Sequence, residues 1–493
     1  MTTSYATLAD VTDARSTAPA SGGGPDAGFS ADDLVAATGG RLLHRSERPI
    51  LGAAVDSREV VAGNLFVALP GERTDGHRFV GAALDAGATA VVVSEAPDGA
   101  VVDRSDATIA VVPDPLRGLQ AIAAAWRSRF DPLVVGVTGS IAKTSTKEAV
   151  AAVLGAAMPT LRNEGNLNNE IGLPLTVLRL RGEHRAAVLE MGMYVGGEIA
   201  ELARIARPEI GIVTAVQPVH LSRIGTIEAV EQAKGELVEA LPVDGVAILN
   251  ADDERVRRMA SRTRARAMTY GFAADADVRA EDVASRGADG MIFRLVAAGV
   301  DREVAIPSLG RLAVHNALAA AAVGLAAGIP TDTIVAGLAA GWSAPHRGEL
   351  IRAGGVTIVD DSYNASPGSV AAALELLSGM PGRRIAVLGE MLELGGEAEA
   401  GHLRVGEVAA DLADRLVVIG EGAAPIAAGA RQAGMPDEDI ATVADRAAAL
   451  ERLLTDLRPG DVVLVKASRG IGLDQLVDEL RSALTAAGPA GPA

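Results

Sequence analysis

Thr138-Gly139-Ser140-Ile141-Ala142-Lys143-Thr144-Ser145 follows the apolar run from Leu133 to Val137 and precedes the helix-forming Glu148-Ala-Val-Ala-Ala-Val-Leu154. A β-branched strand that runs through a small-residue turn into a helix aims backbone N–H groups and the positive end of a helix dipole at one point. That arrangement binds phosphate. Lys143 adds a cation for the β- and γ-phosphates, and Thr144 offers a hydroxyl to magnesium. The loop from Gly139 to Ser145, with Ser140, Ile141 and Ala142 between, therefore points to ATP. It departs from the full phosphate-loop pattern at Ala142, where glycine usually precedes the lysine, and Gly136 lies one residue out of register.

Glu190 closes the apolar run Ala186 to Leu189. In parallel α/β sheets the C-terminal strand ends face the ligand crevice, so Glu190 is expected to hold magnesium beside Thr144. His220 follows the run Ile210 to Val213; by itself it reads as a hydrogen-bonded structural histidine. Lys234, taken by itself, reads as a surface lysine. Residues 161–174 carry Asn163, Asn166, Asn168 and Asn169, and either a capped turn or a binding loop for amides and sugars explains them. Asp360-Asp361-Ser362-Tyr363-Asn364 and Gly389-Glu390-Met391 also follow apolar runs. Such strand ends would face the ATP site across an interdomain cleft.

At 493 residues the chain is too long for one core, so two to four domains are expected. An apolar content of 49% with 2% aromatic residues implies cores of Ala, Val, Leu and Ile. A formal net charge of −18 excludes a general nucleic-acid or anionic-membrane binder. The absence of cysteine excludes disulfides and thiolate chemistry and fits the cytosol. No apolar stretch is long enough to span a bilayer. Residues 1–28 read as a flexible tail without a signal peptide, and Ser30 to Gly39 as a short capped helix. Strand-like runs alternating with Ala-rich helices predict an α/β protein of three domains. These are a small N-terminal α/β domain (29–114), a central parallel-sheet ATP-binding domain (115–343) with an antiparallel insertion near 275–304, and a C-terminal Rossmann-like domain (344–493).

From Asp56-Ser57-Arg58 to Lys466-Ala467-Ser468-Arg469, these residues in this order resemble the Mur ligase family of bacterial cell-wall synthesis. Lys143, Thr144, Glu190, His220, Asn316, Arg347 and Asp361 match family-wide positions. The segments Asn166 to Thr176, Glu190-Met-Gly-Met193, Asp361 to Pro367 and Gly389 to Gly395 resemble the member that adds D-alanyl-D-alanine to UDP-N-acetylmuramoyl-tripeptide through an acyl phosphate. The resemblance implies two magnesium ions, one on Thr144 and Glu190 and a second on His220 and a carbamylated Lys234. It further implies adenine at Asn316, nucleotide contacts from Arg347 and Asp361, and substrate contacts from Ser57, Arg58, Asn166, Asn168, Asn169, Asp361, Tyr363 and Asn364. A monomer is expected. The alternatives are a sibling ligase adding a single amino acid, or a non-catalytic relative that binds without turnover, the latter motivated by Ala142.

Overall fold

The computed structural model describes residues 26–71, 74–103, 106–219 and 221–486. Its strands are rich in Val, Ile and Ala, and every residue of Ala90–Val93, Ala186–Glu190, Val246–Asn250 and Val462–Lys466 is buried. Strands apolar on both faces need cover on both, and helices supply it here. The first sheet contains β1 (Arg41–His44), β2 (Gly52–Ala54), β3 (Asn64–Val67), β4 (Ala90–Val93) and β5 (Thr108–Val111), in the order β1-β5-β4-β3-β2 with β1 antiparallel. The second contains β6 (Leu133–Thr138), β7 (Thr160–Arg162), β8 (Ala186–Glu190), β9 (Ile210–Val213), β10 (Val246–Asn250), β11 (Arg266–Gly271), β12 (Val278–Ser285), β13 (Met291–Ala297) and β14 (Val300–Ile306). Their order is β14-β13-β12-β11-β10-β9-β6-β8-β7. The third contains β15 (Glu349–Ala353), β16 (Val356–Asp360), β17 (Arg384–Gly389), β18 (Arg415–Ile419), β19 (Ile440–Val443) and β20 (Val462–Lys466), in the order β15-β16-β20-β17-β18-β19.

Period-two alternation sorts the central strands into two layers. Val135, Val137, Val188, Ile212 and Ile248 join one core with the helices Lys143–Gly155, Gly310–Ala326 and Thr331–Ala340. Val134, Ala187, Leu189, Val213 and Leu249 join another on the opposite face. That second core continues into the first sheet, because the helix Pro115–Arg127 turns Leu119, Ile122, Ala123 and Trp126 into both. Trp126 packs between Phe29 and Phe130 at ring distances of 5.7 and 5.4 Å and donates its Nε1–H to the Leu180 carbonyl at 3.2 Å. The first two sheets thus share an apolar core rather than meeting through a linker.

Several expectations are met residue by residue. Ser30 and Asp33 form a reciprocal cap on Ala31–Thr38, which ends at Gly39 with φ of 65°. The antiparallel segment near 275–304 is present, but it extends the central sheet instead of standing apart, since β12 pairs parallel with β11 before β13 and β14 add antiparallel. The sequence reading names no strand at β1, β2, β5, β7, β11, β15 or β19. Of these, β1, β2, β7, β15 and β19 are sheet edges, where one side is open and the apolar signal is weak, while β5 and β11 lie inside their sheets. Of the expected tail, residues 1–25 lie outside the described residues, while Asp26 accepts a hydrogen bond from the Gly182 N–H at 2.8 Å. No helix among the described residues is long and apolar enough to cross a membrane.

The helix that follows the phosphate-type loop is held from behind by backbone contact. A β-carbon on Gly337 would lie 2.8 Å from Cα of Val153 and 3.0 Å from the Ala152 carbonyl oxygen, so Thr331–Ala340 packs on Lys143–Gly155 without a side chain between them. Gly337→Ala is expected to wedge the two helices apart and cost about 1–3 kcal/mol. Calorimetry would show this as a fall of several degrees in the transition that includes the central domain; an unchanged transition would mean the two helices can separate without cost.

Candidate active site

The loop after β6 is fixed before any ligand is considered. Gly139 has φ of +150°, and a β-carbon there would fall 1.8 Å from Oγ1 of Thr214, so only glycine fits. Ser140 donates its N–H to the Ala215 carbonyl at 2.8 Å, and its hydroxyl donates to the Gln217 carbonyl at 3.0 Å while accepting the Gln217 N–H at 2.8 Å. Thr214 donates to the Ile141 carbonyl at 2.6 Å. The segment after β9 therefore clamps the loop along its length. Ala142, with φ of 63° and ψ of 1°, precedes a helix that has no side-chain cap, and the first-turn N–H groups are left for a ligand. Lys143 folds back so that Nζ donates to the Gly139 carbonyl at 2.8 Å. A non-glycine residue in this left-handed conformation carries a penalty of roughly 1–2 kcal/mol.

At the end of the adjacent β8, Glu190 is 1% exposed. Its Oε1 accepts from the Asn168 amide at 2.7 Å, while its Oε2 has no hydrogen-bond partner. Leaving a carboxylate oxygen buried and unpartnered is costly, and a cation is what would compensate it. Lys143 stands close enough for Glu190 to raise its pKa, although desolvation dominates and Arg347 adds to the lowering. Lys234, on the helix Ile227–Glu239, is 2% exposed, which overturns the surface-lysine reading. Desolvation first and the charge of Lys143 second push its pKa well below the usual lysine range. Thr144 is also buried, and the described residues contain no group of three or more His, Asp or Glu arranged to hold a metal ion. His220 lies outside the described residues.

A cleft of about 690 Å³ joins this region to the third domain. From that side Asp361 pairs with Lys466 at 2.6 Å, and Lys466 also donates to the Asn364 carbonyl at 2.9 Å. The Tyr363 ring lies 4.0 Å from the guanidinium carbon of Arg347 and 4.7 Å from that of Arg469. From the central domain Asn316 enters with its Oδ1 accepting the Thr146 hydroxyl at 3.0 Å, which leaves its NH₂ group free to donate.

The cleft thus gathers Ser140 to Ser145, Glu190, Lys234, Asn316, Arg347, Asp361, Tyr363, Asn364 and the asparagine loop. Ser57 and Arg58 do not line it; they follow β2 in the first domain, where exposed Arg58 pairs with Asp56 at 2.5 Å. Of the three asparagines, Asn169 caps the helix Gly172–Val177 through the Gly172 N–H at 2.9 Å, Asn168 is bound to Glu190, and Asn166 alone is exposed. Lys466, Arg469 and Asn163 carry no role assignable from the sequence alone. One signal was available for the first: the chain has four lysines, Lys143, Lys147, Lys234 and Lys466, against 41 arginines, and none of the four is exposed.

Profile comparison matches residues 49–127 to the catalytic domain of the Mur ligase family, 137–324 to its middle domain and 346–469 to its glutamate ligase domain. The chain is 36% identical to the UDP-N-acetylmuramoyl-tripeptide--D-alanyl-D-alanine ligase of Bacillus subtilis, covering 87% of this chain and 93% of that one. This chain belongs to the Mur ligase family. The Mycobacterium tuberculosis ligase of the same name is 39% identical over 86% of this chain and 91% of its own. Among solved structures, MurF from Acinetobacter baumannii superposes with a TM-score of 0.84 at 29% identity, covering 93% of this Mur ligase and all of that chain. MurF from Thermotoga maritima, in complex with ADP, gives 0.79 at 30% identity, covering 89% of this chain and 99% of its own.

Ala142 offers a direct check on the loop geometry. Ala142→Gly removes the β-carbon from a left-handed residue and is expected to stabilise the protein by up to about 1 kcal/mol while changing the KM for ATP less than about tenfold. Ala142→Val, β-branched at positive φ, should destabilise it. A reversed order of melting temperatures would show that residue 142 is not left-handed in solution.

Proposed function

We propose that this Mur ligase joins D-alanyl-D-alanine to UDP-N-acetylmuramoyl-tripeptide and drives the amide bond with ATP. The observation that carries the reading is the unpartnered, buried Oε2 of Glu190, set beside an uncapped phosphate-type loop in a cleft shared with the third domain. Likeness to ligases of that name over 86–87% of this chain and 91–93% of theirs supports the choice of substrates.

In the proposed reaction the terminal carboxylate of the tripeptide attacks the γ-phosphorus of ATP, the bond to ADP breaks and an acyl phosphate forms. The dipeptide amine then attacks the acyl carbon, loses a proton, and phosphate departs. The loop N–H groups and Lys143 bind the phosphates and offset the charge that develops on them. Asn316 donates to adenine, and Arg347 and Asp361 meet the nucleotide from the third domain. Tyr363, Asn364 and Asn166 contact the peptide partners, while Ser57 and Arg58 serve the uridine nucleotide. Closure of the third domain excludes water, which would otherwise hydrolyse the acyl phosphate. The buried Glu190 oxygen and the Thr144 hydroxyl suit magnesium, which binds through few carboxylates plus substrate phosphates. When bound, the ion supplies charge neutralisation at the transferring phosphoryl group.

Lys234 is suited to carbamylation, in which its neutral amine attacks carbon dioxide and releases a proton, giving a carboxylate that with His220 would hold a second ion. Its lowered pKa supports this, because the amine is then neutral at lower pH than an exposed lysine would be. We assign the cytoplasm, where ATP and nucleotide-linked substrates are available.

ATP-dependent phosphate release with UDP-N-acetylmuramoyl-tripeptide is expected with D-alanyl-D-alanine and not with single amino acids. Equal turnover with a single amino acid would make the chain a sibling ligase, and no turnover with any acceptor a binding protein. Lys143→Ala and Glu190→Ala should each lower kcat by about a hundredfold or more, roughly 2.7 kcal/mol. Acidification protonates Lys234 and blocks carbamate formation, so activity should fall as pH drops through its depressed pKa and recover partly with bicarbonate. Lys234→Ala should lose activity and regain part of it with a short carboxylate; full activity without rescue would end the carbamate reading.

A further inference from the structure

Of the four lysines, Lys147 is the one outside the cleft, and its side chain is completely buried. It lies on the helix Lys143–Gly155, one turn after Lys143. Its Nζ donates to the Asn163 backbone carbonyl at 2.6 Å and pairs with Glu148 at 2.9 Å, and Glu148 is also paired with Arg162 at 2.7 Å. Asn163, itself fully buried, uses both ends of its amide. Its Oδ1 accepts the Glu190 N–H at 3.0 Å, and its Nδ2 donates to the Glu190 carbonyl at 3.2 Å and to the Leu167 carbonyl at 2.8 Å. A chain of hydrogen bonds therefore runs from the helix behind the phosphate-type loop, through one asparagine, to the peptide unit of Glu190. Burying an ammonium is expensive, and a structural anchor between helix and loop could have been apolar.

We propose that Lys147 and Asn163 are positioning residues for the metal-binding carboxylate: Lys147 fixes the Asn163 backbone relative to the phosphate-loop helix, and the Asn163 amide grips Glu190 on both sides of its peptide. This sets the free Oε2 of Glu190 and the Thr144 hydroxyl at one mutual spacing. The inference rests on the reading of Glu190 as a magnesium ligand. Groups that orient a metal ligand without touching the metal are worth roughly tenfold to a hundredfold in metal affinity. If Lys147 acts only through Asn163, the effects of removing both do not add.

The test is Mn²⁺ titration of the full chain with ADP, read by electron paramagnetic resonance, alongside ADP binding in excess chelator. Asn163→Ala is expected to weaken Mn²⁺ binding roughly tenfold or more and Lys147→Met by a similar factor, with metal-free ADP affinity within twofold of the parent. The double variant should bind Mn²⁺ no more weakly than Asn163→Ala alone. Should Asn163→Ala fail to fold, Lys147→Met, a neutral chain of similar length, carries the test. Glu190→Gln separates the two claims. If it leaves Mn²⁺ affinity intact, the reading of Glu190 as a ligand fails; if it abolishes binding while the Asn163 and Lys147 variants bind Mn²⁺ normally, the positioning inference is overturned. Equal losses of Mn²⁺ and metal-free ADP affinity would also overturn it, as that is what a merely structural role produces.

Discussion

A carboxylate buried at a strand end with one oxygen satisfied and the other bare is the constraint on which the rest of this structure turns. Removing such a group from water costs several kcal/mol unless a cation repays it. The protein keeps Glu190 there by gripping it from three sides: the Asn163 amide on its peptide, the Asn168 amide on Oε1, and the fully buried β8 beneath. The nearby lysines do not neutralise it by direct pairing. Lys143 is folded onto the loop carbonyls, and Lys234 stands without an ion pair among the described residues. A cation beside Oε2 would compensate the carboxylate.

The architecture holds that carboxylate beside the phosphate-type loop and brings residues of a third domain to the same cleft. Parallel pairing of β6 with β8 and β9 sets the loop, Glu190 and Thr214 at one sheet edge. Opposite them, β16 ends at Asp360 and β20 at Lys466, so the third sheet presents its own strand ends, and with them Asp361 and Tyr363, to the same cleft. The parallel strands of both sheets thus turn their C-terminal ends to one cleft, the edge at which α/β sheets carry their ligands.

Much of this was legible in the sequence because strand and turn signals are local. The phosphate-type loop, the acidic strand end at Glu190 and the Ser30 cap rest on a few consecutive residues each. Lys234 was misread when taken alone, though its spacing held the correction: Val230, Ala233, Leu237 and Val238 share the buried face of its helix, and position 234 falls inside that stripe. The scarcity of lysine pointed the same way. The bond from Asn168 to Glu190 was not legible, since it joins residues 22 apart through a loop whose path only the folded chain defines. Edge strands such as β15 and β19 escaped for a different reason: with one side open, they lack the apolar density of the central strands.

The central claim is that the cleft activates a carboxylate by phosphorylating it. The most direct measurement uses UDP-N-acetylmuramoyl-tripeptide labelled with ¹⁸O in its terminal carboxylate, incubated with ATP and D-alanyl-D-alanine, with the released phosphate analysed by mass. Attack of the carboxylate on ATP transfers one labelled oxygen to each phosphate released, and that is the result this account predicts. Amide formation accompanied by unlabelled phosphate would contradict it.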